Sequence, residues 1–322
     1  MFRNILVPVD RSAFSENAIS PAVAIAKKSG GTLHFVTVNE SVRPIAVRPA
    51  SAVFEPALDA LVERELREYI DEVAGTVRAR NGVEATAVLL DGQVPRELGR
   101  YVKKAGIDLV VMTTHGHGGL RRAWLGSVAD RLIRRLDVPL LLVRPADTVT
   151  PIQPIENFTN VMVALDGSTV AETALQRVAG LPFSPDARCT LIRIAAAPIL
   201  PSSPYIPDTA RLNQEQMESR AKEAEGYLKR MAPVAGEYWS RVDERVVSAY
   251  RTAEALLEHA SQLQADLIVL GTHGEVIRRA VVGSVADKVI RGADVPVFVV
   301  PSRVLAGNRP SRFEDSVFSA AL

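Results

Sequence analysis

A single cysteine, Cys189, is all the thiol chemistry that 322 residues offer. An internal disulfide is excluded and a reducing compartment suits the chain, with only an intermolecular pair left open. Read by itself, Cys189 is a small apolar residue in a strand. Charge of one sign is equally scarce, since 38 Lys and Arg stand against 37 Asp and Glu. No whole-chain field exists to hold nucleic acid or an anionic membrane, so any anion site must be local. No apolar run approaches the ~20 residues of a membrane helix, and the N-terminus enters a strand rather than a long apolar signal segment. A soluble, cytoplasmic protein is expected.

What the chain does contain, it contains twice. Asn4-Ile-Leu-Val-Pro-Val-Asp10 matches Asn160-Val-Met-Val-Ala-Leu-Asp166, and Glu16 matches Glu172, at an offset of 156 (166 minus 10). Ser-Val-Ala-Asp at Ser127 and Ser284, and Asp-Val-Pro at Asp137 and Asp294, repeat at 157. A period this long means tandem domains rather than a solenoid. The expected division is 1–146, 158–302 and a C-terminal tail at 303–322, with Arg144 to Thr159 as linker. A hydrophobic content of 47% is enough for two packed cores.

Short apolar runs alternate with segments of helical period. In the first half, strands are expected at Asn4–Val9, Thr32–Val38, Val83–Leu90, Asp108–Met112 and Pro139–Val143. Helices are expected over Ser12–Ser29, about Glu55–Arg80, from Pro95, and from Gly126-Ser127. The second half places strands near Val161–Leu165, Cys189–Ile194, Val242–Val247, Leu267–Leu270 and Val297–Val300. Strands this continuously apolar are covered on both faces, and the alternation with helices gives right-handed crossovers. The fold class is therefore α/β: two tandem doubly wound domains, each a five-stranded parallel sheet of order 3-2-1-4-5 with helices on both faces.

In such a sheet ligands settle at the carboxyl edge, where strand order reverses. Asp10 and Asp166 end the first strand of each half there. Glycine loops follow the fourth strand: Thr113-Thr-His-Gly116 running to Gly126-Ser127, and Gly271-Thr-His-Gly274 running to Gly283-Ser284. Glycines leading into a helix that starts at Gly-Ser suit phosphate. The dinucleotide fingerprint Gly-x-Gly-x-x-Gly is missing after strand one, where Asp10-Arg-Ser-Ala-Phe-Ser and Asp166-Gly-Ser-Thr-Val-Ala stand instead. That disfavours a nicotinamide dehydrogenase, and the lack of Gly-x-x-x-x-Gly-Lys-Ser/Thr removes the P-loop engines.

At these residues the chain resembles a tandem universal stress protein of the UspA-like superfamily, over about residues 1 to 146 and 158 to 302. Nucleotide-binding members of that family carry Gly-x-x-Gly, nine residues, then Gly-Ser/Thr after the fourth strand, and an Asp ending the first. The resemblance implies a site for ATP or a related adenine nucleotide, with any Mg²⁺ brought by the nucleotide. It also implies association of domains through their fifth strands. Carried over residue by residue, the site becomes Pro8, Asp10, Val38, Met112, Gly116, Gly126, Ser127 and Val128 in the first half, with Thr113 at the motif's opening position. In the second half it becomes Asp166, Ile194, Leu270, Gly271, Gly274, Gly283, Ser284 and Val285.

Each copy departs from the pattern once. The first has Thr113 where the opening glycine belongs, and its Cβ is expected to crowd the ribose or first phosphate, at further cost if φ is positive. The second keeps Gly271 but has only eight residues, Glu275 to Val282, before Gly283. Its loop loses the counterparts of Gly118 and Gly119 and sets the Glu275 carboxylate where phosphate charge would lie. The first half is the better expected site. Blander roles stand beside these: Asp10 and Asp166 as caps or loop-amide acceptors, Ser127 and Ser284 as N-caps, and His115 and His273 as structural loop residues. Arg121, Arg122, Arg278 and Arg279 suit either a triphosphate or a solvated helix face.

Three functions fit: a non-catalytic adenine-nucleotide-binding stress-response module, a slow ATP hydrolase, and a scaffold whose sites have decayed. The hydrolase lacks an obvious base or arginine finger. Pairing of Leu140–Val143 with Val297–Val300 inside one chain is expected, with a homodimer of chains as a further partner.

Overall fold

A computed structural model describes residues 1–40, 56–114, 125–144, 155–196, 209–272 and 282–307. The first half runs β1 (Asn4–Pro8), α1 (Ala13–Glu16), α2 (Ile19–Ser29), β2 (Thr32–Asn39), α3 (Pro56–Asn81), β3 (Ala85–Asp91), α4 (Val94–Lys104), β4 (Leu109–Thr113), α5 (Ser127–Arg135) and β5 (Leu140–Val143). The second runs β6 (Phe158–Ala164), α6 (Thr169–Val178), β7 (Phe183–Ala195), α7 (Thr209–Gly236), β8 (Arg241–Ser248), α8 (Thr252–Gln262), β9 (Leu267–Gly271), α9 (Ser284–Gly292) and β10 (Val297–Val300), then a short α10 (Val304–Gly307).

Strands within each half are parallel and ordered 3-2-1-4-5. The halves do not keep separate sheets, however: all ten strands form one, in the order β3-β2-β1-β4-β5-β10-β9-β6-β7-β8. The seam is the only antiparallel junction among the described residues, with Val297 opposite Leu142, Phe298 opposite Leu141 and Val299 opposite Leu140. Both strands here are wholly apolar and wholly buried, Leu-Leu-Leu-Val against Val-Phe-Val-Val. Left as edges they would expose unpaired amides and carbonyls on a flat hydrophobic ribbon, and pairing removes that liability.

Side chains alternate across the sheet and so feed two apolar layers that both cross the seam. Ile5, Val7, Leu109, Val111, Val163, Val269 and Phe298 face the layer beneath α2, α3, α6 and α7. Leu6, Val110, Met112, Met162, Ile268 and Val299 face the layer beneath α4, α5, α8 and α9. Phe298 meets the ring of Phe2 from the other half at 6.2 Å. Polar contacts mark the same junction. Asp130 holds Arg134 through two bonds of 2.9 and 3.0 Å, Asp287 holds Arg291 equivalently, and Arg291 also reaches Asp130 at 3.8 Å. Arg144 donates to Asp294 at 2.9 Å and to the Ala293 carbonyl at 2.8 Å.

Two local expectations need correction. The single helix expected over Ser12–Ser29 is broken between α1 and α2. Pro21 has no N–H to give the carbonyl four residues earlier, and the Asn17 side chain donates to the Ala13 and Phe14 carbonyls at 3.3 and 3.1 Å. The second copy has no proline there, and α6 is continuous. The linker is shorter than 144–159, because Phe158 already sits in β6, 1% exposed, and Ile155 packs on the inner layer. Of the tail expected at 303–322, Val304 is buried and Leu305 packs beside it, while 308–322 lies outside the described residues. No helix among the described residues is long and apolar enough to cross a membrane.

Candidate functional site

The parallel register sets the site. Pro8 lies opposite Val36, and Leu6 lies opposite Val110. Continuing both ladders to the carboxyl edge brings Asp10 level with Val38 on one side and Thr114 on the other. In the second half Ala164 pairs with Ile192 and Val163 with Val269, which brings Asp166 level with Ile194 and Thr272. Strand order reverses between β1 and β4, and again between β6 and β9, so each carboxylate stands at the switch point. Pro8, Asp10, Val38, Met112, Thr113, Gly126, Ser127 and Val128 thus gather at one edge. Asp166, Ile194, Leu270, Gly271, Gly283, Ser284 and Val285 gather at its counterpart. Gly116 and Gly274, with His115, His273, Glu275 and the four loop arginines, lie outside the described residues.

Both carboxylates are exposed and held by the turn that follows. Asp10 Oδ1 accepts from the Ser12 amide at 3.1 Å and from its hydroxyl, and Asp166 Oδ1 accepts from the Ser168 amide at 2.9 Å. The intervening residue is left-handed in each copy, Arg11 at φ 65° and Gly167 at φ 93°. Capping falls to the serines: Ser12 Oγ accepts from Ser15 N at 3.1 Å, and Ser168 Oγ from Ala171 N at 3.2 Å. The aspartates are therefore loop-amide acceptors that fix the turn, not helix caps. The Asp-x-Ser spacing behind this turn repeats at offset 156 and is wholly local to the sequence.

The described ends of the two glycine loops make the same bonds. Gly126 N donates to the Thr114 carbonyl at 2.7 Å, and Gly283 N to the Thr272 carbonyl at 2.7 Å. The threonine ends are themselves tied to the fifth strands, Thr114 N to Val143 O and Thr272 N to Val300 O, each 3.0 Å. Gly126 and Gly283 are the N-caps of α5 and α9, with φ near −58° and no side chain to cap the first turn. Ser127 and Ser284 are consequently not caps. They occupy the first helical position with exposed side chains. A glycine cap offers the first-turn N–H groups no acceptor of its own side chain, and a helix N-terminus with free amides is where an anion is received. The acid in each first turn, Asp130 or Asp287, is neutralised by its bidentate arginine, whose guanidinium titrates above its ordinary range because of that carboxylate. In the second half a cavity of about 440 Å³ flanks Ser284 and Val285, walled by Tyr250, Arg251, Glu254 and Lys288.

Thr113 does not crowd the ligand side. It continues the face of Leu109 and Val111, is 6% exposed, and has no positive φ. Its counterpart Gly271 shows what that face meets: a Cβ there would come within 2.7 Å of Val170 Cγ1 and 3.1 Å of Ala171 N at the start of α6. Glycine is needed at 271 for close helix approach, and in the first half the facing segment is the separate α1.

A tyrosine and glutamate accompany each carboxylate. Tyr69 donates to Glu16 at 3.1 Å, and Tyr227 to Glu172 at 3.2 Å. Burial, reinforced by that glutamate, pushes both phenols well above the ordinary tyrosine range, with Asp10 or Asp166 adding to the effect. Sequence reasoning missed this pair, although Glu16 and Glu172 kept the repeat offset. Cys189 is buried, and burial raises its thiol far above its usual value, which makes it inert.

The model of the universal stress protein family matches this chain twice, at residues 1–144 and 157–301. A universal stress protein of Mycolicibacterium smegmatis is 28% identical over 305 residues, spanning 93% of this chain and 97% of that one. Universal stress protein MJ0531 of Methanocaldococcus jannaschii is 31% identical over 144 residues, 45% of this chain and 83% of its own. Among solved structures, a universal stress protein from Archaeoglobus fulgidus superposes with a TM-score of 0.64 at 21% identity, covering 92% of this chain and 98% of that one.

Proposed function

Because this chain belongs to the universal stress protein family, we propose that it is a cytoplasmic, non-catalytic stress-response module that binds ATP or a related adenine nucleotide at the carboxyl edge of its first half. The observation that carries this reading is the glycine-capped start of α5: Gly126 N donates to the Thr114 carbonyl, and the cap residue supplies no side-chain acceptor to a helix that begins beside the Asp10 turn. Phosphates would lie on the amides of Ser127 and Val128, where the helix dipole favours negative charge. The Asp10 carboxylate, accepting only, would take a hydroxyl donor such as a ribose. Val38 and Met112 supply apolar surface at the same edge.

The second half shares this geometry, but its loop is one residue shorter and places Glu275 where phosphate charge is expected. The first half is therefore the working site. Occupancy would alter how the halves pack or how a partner is held, with a homodimer of chains as one such partner. Mass spectrometry of the purified protein tests the reading, with co-purified adenine nucleotide expected. Multiple-turnover phosphate release abolished by Asp10→Ala would instead make the protein a hydrolase. Absence of nucleotide together with no response to added ATP would make it a scaffold.

A further inference from the structure

The long helix after strand two presents the same two residues to the carboxylate turn in both halves, Glu65 and Tyr69 on α3 and Glu223 and Tyr227 on α7. Each pair is spaced i, i+4 and so shares one helix face. A guanidinium meets each glutamate, but the two come from different places. In the first half Arg11, inside the turn, reaches Glu65 at 3.1 Å. In the second half that turn position is Gly167, and the guanidinium arrives from β7: Arg193 reaches Glu223 at 3.8 Å and stacks over the Tyr227 ring at 4.6 Å.

The exchange is reciprocal at both positions. By strand register Arg193 corresponds to Thr37, which is buried and donates to the Val9 carbonyl at 2.9 Å. Gly167 lies beside that guanidinium, since a Cβ there would be in van der Waals contact with Arg193 Nη1 and Nη2 at 3.4 Å. Arg11 keeps the left-handed backbone that Gly167 adopts freely. A guanidinium thus meets the equivalent glutamate in both halves, supplied by the turn in one and by β7 in the other. An incidental surface ion pair is not expected to recur on the same glutamate from two different elements.

We propose that Arg11 and Arg193 are equivalent positioning residues, Arg11 strapping the long helix to the turn that aims the site carboxylate and Arg193 strapping it to β7 beside that turn, and so setting the aperture at that edge. The role attached to Asp10 rests on the nucleotide reading above, whereas the strap itself does not. Amide hydrogen exchange on the nucleotide-free full chain is the test. Arg11→Gly should speed exchange around Glu65–Tyr69 and Ser12–Ser15 by about two- to fivefold, the factor that an ion pair of this exposure supports. Adding Thr37→Arg to that variant should return exchange to its original rate. Arg193→Thr should do the same around Glu223–Tyr227, with Gly167→Arg as its rescue, so a folding failure in one half leaves the other decisive. ATP affinity should fall by a similar factor in Arg11→Gly and recover in the double variant. Unchanged exchange in both single variants, or failure of the transplanted arginine in both halves, would overturn the strap. Absence of ATP binding by the unaltered protein would remove the nucleotide reading while leaving the exchange result to decide the strap.

Discussion

Thr113 and Gly271 occupy one position in two copies and carry opposite demands. At Gly271 the absent Cβ is what lets α6 lie against β9, so Gly271→Thr should destabilise the second half by about 1–3 kcal/mol through overpacking. Thr113→Gly should cost stability by leaving space in a buried site, yet change ATP affinity less than twofold by titration, since its side chain points into the helix layer. A large gain in affinity would return Thr113 to the ligand side. The sequence showed that these residues differ but not which way they face. Facing depends on strand parity and on how closely the next helix approaches, and neither is local. The serine caps were the converse case, because glycine outcompeted serine for the cap once the loop closed through the Gly126 amide. Asp-x-Ser, by contrast, is wholly local and was legible: Ser12→Ala or Ser168→Ala should each lower stability by about 1 kcal/mol in urea titrations.

At the level of elements, strand identity and order were readable because buried parallel strands are continuous apolar runs and right-handed crossovers leave few topologies. Helix continuity was less so. Pro21 stood in an otherwise good helical pattern, and the rule that it removes a backbone bond to Asn17 was available but outweighed by periodicity. One strand also carries a pH response. His34 on β2 is half-buried against Tyr101, 2.9 Å from its hydroxyl, and burial lowers its pKa below 6.5, opposed more weakly by Asp108. The folded state thus disfavours the charged imidazole. His34 contributes stability that is present above pH 6.5 and is lost as pH falls through its lowered folded value. The urea midpoint should drop across that window in the wild type, and drop less in His34→Gln.

The whole molecule is one sheet rather than two. That union follows from β5 and β10, whose apolar edges have no gatekeeping charge, and it explains why both apolar layers run through the seam. Phe298→Ala, at a fully buried seam position in contact with Phe2, should cost about 3–5 kcal/mol and loosen hydrogen exchange in β1 as well as β6. Loosening confined to the second half would mean that the halves fold independently. Fold duplication is complete at this scale, whereas the sites differ in loop length, in Glu275 and in the source of their guanidinium. Calorimetric titration of the full chain with ATP addresses that asymmetry directly. Close to one nucleotide per chain is expected, lost in Asp10→Ala and kept in Asp166→Ala. No binding heat, or binding that survives Asp10→Ala and disappears in Asp166→Ala, would contradict it.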